Sequence, residues 1–195
     1  MNYMIEQLNY ALFNLINQYA GINPLVDTIA VIIAKYMPLM VIIGVAYLWI
    51  KKANNTRDII LYGIYAAIIG LIINYMITLV YYHPRPFTIP LGTQLFQYTA
   101  DSSFPSDHAT LMFSLALMLI YFKETRTAGV ILLILGFIGG FARVFSGIHF
   151  PFDIFGSLIV SIISTVLIFQ FKDRFNLLNT GIKNIYCKIT GNIRK

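Results

Sequence analysis

The sequence predicts an all-α protein, a bundle of membrane-spanning helices, and three observations carry that expectation. Of its 195 residues, 58% are hydrophobic and 11% charged, against about 25% charged in a soluble domain. Mean hydropathy is +0.73. Apolar runs of ~20 residues recur, each long enough to cross a hydrocarbon core ~30 Å thick.

The segments follow in order. Residues 3–20 (YMIEQLNYALFNLINQYA) mix apolar residues with Glu6, Asn9, Asn14, Asn17 and Gln18, the pattern of an amphipathic helix lying at the interface. A first span covers 26–50, with Lys35 near one end and Pro38 as a kink. A second covers 58–80. After a polar stretch come a short third span at 107–122, a fourth at 127–145 and a fifth at 152–171. In the fourth, Gly136, Gly139 and Gly140 predict close helix packing. The tail is basic, and Phe175, Leu178, Ile182, Ile185 and Ile189 recur at helical spacing, a stripe suited to an anionic leaflet. The chain thus divides into a membrane domain, 1–172, and an amphipathic cytoplasmic tail, 173–195. No basic residue precedes the first apolar stretch and no small-residue cleavage site follows it, so no removable leader is expected. The single cysteine, Cys187, excludes an intrachain disulfide and a cysteine metal cluster.

Loop charges set the orientation. Lys51, Lys52 and Arg57, then Lys123 and Arg126, then the tail hold most of the 14 basic residues on one side, which the positive-inside rule makes cytoplasmic. The net charge of +6 therefore reflects topology, and no nucleic-acid partner is expected. Arg85, Arg143, His83, His108 and His149 fall at the opposite, extracytoplasmic ends. Polar groups placed against the charge bias mark a functional site.

Three stretches meet there: HPRPF (83–87), PSDH (105–108) opening the third span, and ARVFSGIHFPFD (142–153) between spans four and five. Two guanidiniums, Arg85 and Arg143, suit a tetrahedral oxyanion, since each planar fork donates two parallel bonds. A helix start adds free N–H groups at Ser106. His149 and Asp153 are four residues apart with Pro151 between them, so one helical turn brings the carboxylate under the imidazole and fixes its tautomer. A histidine so held is a nucleophile for phosphorus, and His108 can protonate the leaving oxygen.

These stretches resemble the tripartite signature of the type 2 phosphatidic acid phosphatase superfamily, membrane lipid phosphatases related to vanadium haloperoxidases. That signature runs Lys-x6-Arg-Pro, Pro-Ser-Gly-His and Ser-Arg-x5-His-x3-Asp, and the match covers residues 78–153. The resemblance implies His149 as nucleophile, Asp153 as its partner, His108 as general acid, and Arg85, Ser106 and Arg143 as phosphate ligands, with no metal or cofactor. The family lysine falls on Thr78, the glycine on Asp107 and the serine on Ala142. YYHPRPF, FPSDH and GIHFPFDIFGS look most like the bacitracin-resistance branch, which acts on undecaprenyl diphosphate. A polyprenyl diphosphate of the outer leaflet of the cell membrane is then the expected partner of this multi-pass chain.

The accessory positions have plainer readings. Ser106 and Asp107 are both good helix caps, and Asp107, whose charge repels phosphate, is expected to face away from it. Lys35 either snorkels to the interface or replaces the absent lysine. His83 is read as a headgroup contact. The alternatives to the leading function are a phosphatidylglycerophosphate or phosphatidate phosphatase with the same site, and a lipid-phosphate transporter without chemistry. Only the phosphatases require the His149–Asp153 pair.

Overall fold

The computed structural model describes residues 3–51 and 54–191. Lys52, Arg194 and Lys195, counted above among the cytoplasmic charges, lie outside the described residues. The helices are α1 (Tyr3–Asn17), α2 (Pro24–Lys51), α3 (Asn54–Val80), α4 (Asp107–Tyr121), α5 (Arg126–Phe145), α6 (Pro151–Gln170) and α7 (Asn176–Thr190). Each expected segment has its helix. Four of them, α2, α3, α5 and α6, are long and apolar enough to cross a membrane, and α4 is a shorter apolar helix. The chain is a multi-pass membrane protein.

Short links make successive helices run in opposite directions. The long connection 81–106, the turn 146–150 and α1 therefore share one end of the bundle, while the α2–α3 and α4–α5 links and α7 share the other. The basic side of the sequence is the α7 end, away from the histidines.

α4 is the central helix, with Ala109, Met112, Phe113, Ala116 and Leu119 all buried. Its 15 residues span only about 22 Å at the helical rise, less than the ~30 Å core, so its N-terminus opens into a recess. Hydroxyls join it to α6. Ser157 Oγ accepts the Ser106 N–H at 2.8 Å and lies 2.9 and 2.7 Å from the Ser106 and Asp153 carbonyl oxygens. One turn on, Ser161 Oγ donates to the Thr110 carbonyl at 3.1 Å, and Ser114 and Ser164 hydroxyls sit 3.4 Å apart. Such small polar residues let helix backbones approach where water supplies no driving force.

α1 uses its polar residues differently from a simple interfacial helix. Asn9 and Asn17 point inward and are buried, while Met4, Leu8 and Leu15 are exposed. Asn17 Nδ2 donates to the carbonyls of Thr93 and Phe145, and Asn9 Oδ1 accepts the Phe152 N–H at 3.1 Å. The side-chain amides thus satisfy backbone groups of two irregular segments, and the apolar face is left for lipid. At the other end α7 docks on α3: Lys183 Nζ lies 2.6 Å from the Asp58 carboxylate, and Tyr65 Oη donates to Asn179 Oδ1 at 2.9 Å. Leu178, Ile185 and Ile189 of its apolar stripe remain exposed.

The glycines of α5 serve packing on two sides. Gly136 faces Phe113 of α4, and a Cβ at Gly140 would stand 2.8 Å from Ile154 Cγ2 of α6. Gly140→Val should push α6 outward and cost about 1–3 kcal/mol, read as a lower thermal midpoint in detergent. An unchanged midpoint would show that α5 and α6 are not held at this distance.

Candidate active site

The turn that carries His149 is made by two local constraints. Gly147 adopts φ +76°, and a Cβ there would collide with the Thr93 carbonyl oxygen, so only glycine serves. Pro151 then opens α6 in its first turn. The outcome is the pair expected from the four-residue spacing: His149 Nδ1 lies 3.1 Å from Asp153 Oδ2. That oxygen also accepts the Phe150 N–H at 2.7 Å. Asp153 is 0% exposed and His149 1%.

The other ring nitrogen faces both guanidiniums. Arg85 Nη1 is 3.1 Å and Arg143 Nη2 3.2 Å from His149 Nε2. A guanidinium only donates, so Nε2 is the acceptor and Nδ1 carries the proton toward Asp153. Burial first, then the charges of Arg143 and Arg85, hold His149 well below the usual histidine range. The imidazole is therefore neutral, with its free lone pair aimed at the cations.

Each arginine is fixed by its remaining donors. Arg85 leads into a 3-10 turn at Pro86–Thr88; its Nε pairs with Asp101 at 2.8 Å and its Nη1 donates to the Ile148 carbonyl at 2.8 Å. Arg143, on the last turn of α5, donates to the Ala34 carbonyl of α2 and to Tyr98 Oη at 3.1 and 2.8 Å. The Tyr98 ring stands 4.6 Å from the Arg85 guanidinium carbon and 5.2 Å from that of Arg143, a shared cation–π face. Arg143 Nε is buried without a partner, and so is Ser106 Oγ. Buried donors left over beside two guanidiniums suit an anion.

A cavity of about 380 Å³ opens in front of these groups, bordered by Thr78, Arg85, Asp107, His108, Arg143 and His149. Among the described residues, no group of three or more His, Cys, Asp or Glu side chains converges as a metal site. The structure thus brings His149, Asp153, His108, Arg85 and Arg143 together, with Thr78 on the wall. It corrects two readings and decides between the two offered for Lys35. Asp107 does not face away: it borders the cavity, where Asn74 Nδ2 donates to its Oδ1 at 2.8 Å. Neither residue caps through its side chain: Ser106 holds the N-cap position without a side-chain capping bond, and Asp107 is the first helical residue, where a negative charge suits the helix dipole. Lys35 is not on the cavity wall but packs its Nζ 4.6 Å from the Phe96 ring centroid.

His83 is more than a headgroup contact. It is buried, its Nδ1 lies 2.7 Å from Ser103 Oγ and 3.6 Å from Asp153 Oδ1, and its Nε2 lies 3.1 Å from Glu6 Oε1. Sequence reasoning also passed over Tyr98 and Asp101. Both lie in the aperiodic stretch between spans, and the only signal there is that two buried arginines need partners.

Comparisons with known proteins show which family the chain resembles. The PAP2 superfamily matches residues 59–177. Undecaprenyl-diphosphatase BcrC of Bacillus subtilis (strain 168) is 35% identical over 96% of both chains. A protein named bacitracin transport permease protein BcrC, of Bacillus licheniformis, is 26% identical over 94% of this chain and 90% of its own. Among solved structures, Aquifex aeolicus LpxE superposes with a TM-score of 0.68 at 26% identity, covering 84% of this chain and 95% of that one.

Proposed function

The chain belongs to the PAP2 superfamily and is a membrane phosphatase, and on that footing we propose that it hydrolyses undecaprenyl diphosphate to the monophosphate at the extracytoplasmic face of the cell membrane. The single observation that carries this reading is His149 Nε2, held 3.1 and 3.2 Å from two guanidiniums with Nδ1 on Asp153. The named activity of the Bacillus subtilis relative supports the substrate. Release of inorganic phosphate recycles the lipid carrier and removes the diphosphate that bacitracin binds.

The terminal phosphate sits among Arg85, Arg143 and Ser106, whose orphaned hydroxyl and the N–H groups opening α4 complete the cradle. The His149 Nε2 lone pair attacks the terminal phosphorus while the bond to the bridging oxygen breaks. His108, protonated once the bound diphosphate offsets the charges of Arg85 and Arg143, gives its proton to the departing monophosphate. The proton on Nδ1 stays with the ring, and Asp153 balances the cation of the phosphohistidine. His108, now neutral, takes a proton from water as the oxygen attacks phosphorus, and His149 is regenerated with release of phosphate. The departing lipid monophosphate stays in the outer leaflet. Residues 1–172 act as the catalytic unit in this reading, with 173–195 as an appendage on the cytoplasmic side.

A carrier of lipid phosphates would need the arginines but not a desolvated imidazole held in one tautomer. That pair favours chemistry over transport. His149→Ala is expected to abolish phosphate release from undecaprenyl diphosphate by folded protein, and His108→Ala to slow it about 10²–10⁴-fold; near-normal turnover in the first variant would sink the mechanism. Vanadate should inhibit as a trigonal-bipyramidal mimic and EDTA should not, both read by phosphate release. Insensitivity to vanadate, or a strict metal requirement, would show a different phosphoryl-transfer chemistry.

A further inference from the structure

A second cavity, of about 280 Å³ and apolar throughout, lies between α2 and α3 with α4 as its floor. Leu71 borders both this cavity and the polar one. The two linings also follow one another along two helix faces. On α3, Ile60, Ile64, Ala67 and Leu71 of the apolar cavity lead at spacings of three and four into Tyr75 and Thr78 of the polar one. On α4, Leu115 and Leu111 lead into His108 in the same way. From Thr78 to Ile60 this furrow runs roughly 27 Å at the helical rise, close to the ~30 Å of the whole hydrocarbon core. Ile64 and Ile68 are exposed along it, so it opens sideways. Its far end stops at Trp49, against whose ring α7 packs Tyr186 at a centroid distance of 5.5 Å.

We propose that this furrow binds the tail of one long polyprenyl chain whose diphosphate lies against His149. The proposal rests on the diphosphatase reading and specifies how it selects its lipid. An acyl chain of an outer-leaflet phospholipid ends near the midplane, about 15 Å down, and leaves the lower half of the furrow unfilled. A polyprenyl chain of many units crosses both leaflets and gains apolar contact until it reaches Trp49.

The test compares geranyl diphosphate, two isoprene units long, with undecaprenyl diphosphate on the full chain in detergent. Ala46→Phe and Ile64→Trp place bulk within about 6 Å of the far end of the furrow, beyond the reach of a geranyl chain, and Ile163→Phe, on the exposed face of α6, serves as a control. Both plugs should raise KM for the long substrate about tenfold and leave its kcat, the geranyl substrate and the control unchanged. Plugs that change neither KM, or both equally, would overturn the furrow while leaving the diphosphatase reading intact. Wild-type protein that hydrolyses neither polyprenyl diphosphate would overturn that reading and the furrow with it.

A separate observation concerns α1, which lies outside the family match at 59–177. From Glu6 the contacts run to His83 Nε2 at 3.1 Å, from His83 Nδ1 to Ser103 Oγ at 2.7 Å, from Ser103 to Asp153 Oδ1 at 3.4 Å, and from Asp153 Oδ2 to His149. The geometry points to Glu6 and His83 as positioning residues: they hold the far oxygen of Asp153 so that the near one faces the nucleophile. Glu6→Gln keeps a hydrogen-bond partner for His83 but removes the charge. It should lower kcat about tenfold with KM and thermal midpoint unchanged, and Glu6→Asp should restore part of the loss. Asn9→Ala weakens the docking of α1 without touching this chain of contacts. An unchanged kcat in Glu6→Gln, or a loss matched by a fall in midpoint like that of Asn9→Ala, would reduce Glu6 to an anchor.

Discussion

Two buried guanidiniums sharing one imidazole nitrogen set the terms for everything around them. Arg85 is 4% exposed and Arg143 1%. Like charges this close and this dry are costly unless most of their donors are matched. The matches come from three parts of the fold: Ala34 of α2, Asp101, Ser102 and the face of Tyr98 in the long connection, and Ile148 of the turn. The irregular 81–106 segment gives these cations the Asp101 carboxylate, the Ser102 carbonyl and the Tyr98 ring and hydroxyl. Asn17 of α1 in turn bonds both the N–H and the carbonyl of Thr93, as a helix or sheet partner would.

Segments with a strong period were legible from the residues. Each apolar run became a helix within a few residues of its expected ends, and the four-residue separation of His149 and Asp153 was enough to predict their contact. Positions whose meaning depends on a distant partner were not legible. Asp107 was read by the sign of its charge toward phosphate, but Asn74, one helix away, fixes its carboxylate at the cavity wall. Ser106 looked like a cap by residue type, yet its backbone N–H is taken by Ser157 and its hydroxyl is left over. Glu6 looked like one polar residue on an amphipathic face. Its significance comes from His83, 77 residues away, and no local pattern announces such a pairing.

The polar chemistry of this chain is sited by a mismatch of lengths. Long helices α2, α3, α5 and α6 reach both surfaces, and α4 does not. The space above the short helix is where a recess must form, and it receives the three polar stretches. Hydrophobic length therefore decides the depth of the recess, and the residues around it decide its chemistry.

The hydroxyl contacts between α4 and α6 carry one more implication. His108 stands on the first helix and Asp153 on the second, and Ser157, Ser161 and Ser164 fasten the two backbones at successive turns. Bilayers vary in thickness, and helices tilt to follow them. Stitched at three levels, α4 and α6 can tilt only as a unit, so the spacing between His108 and Asp153 is insulated from the bilayer in which the protein sits.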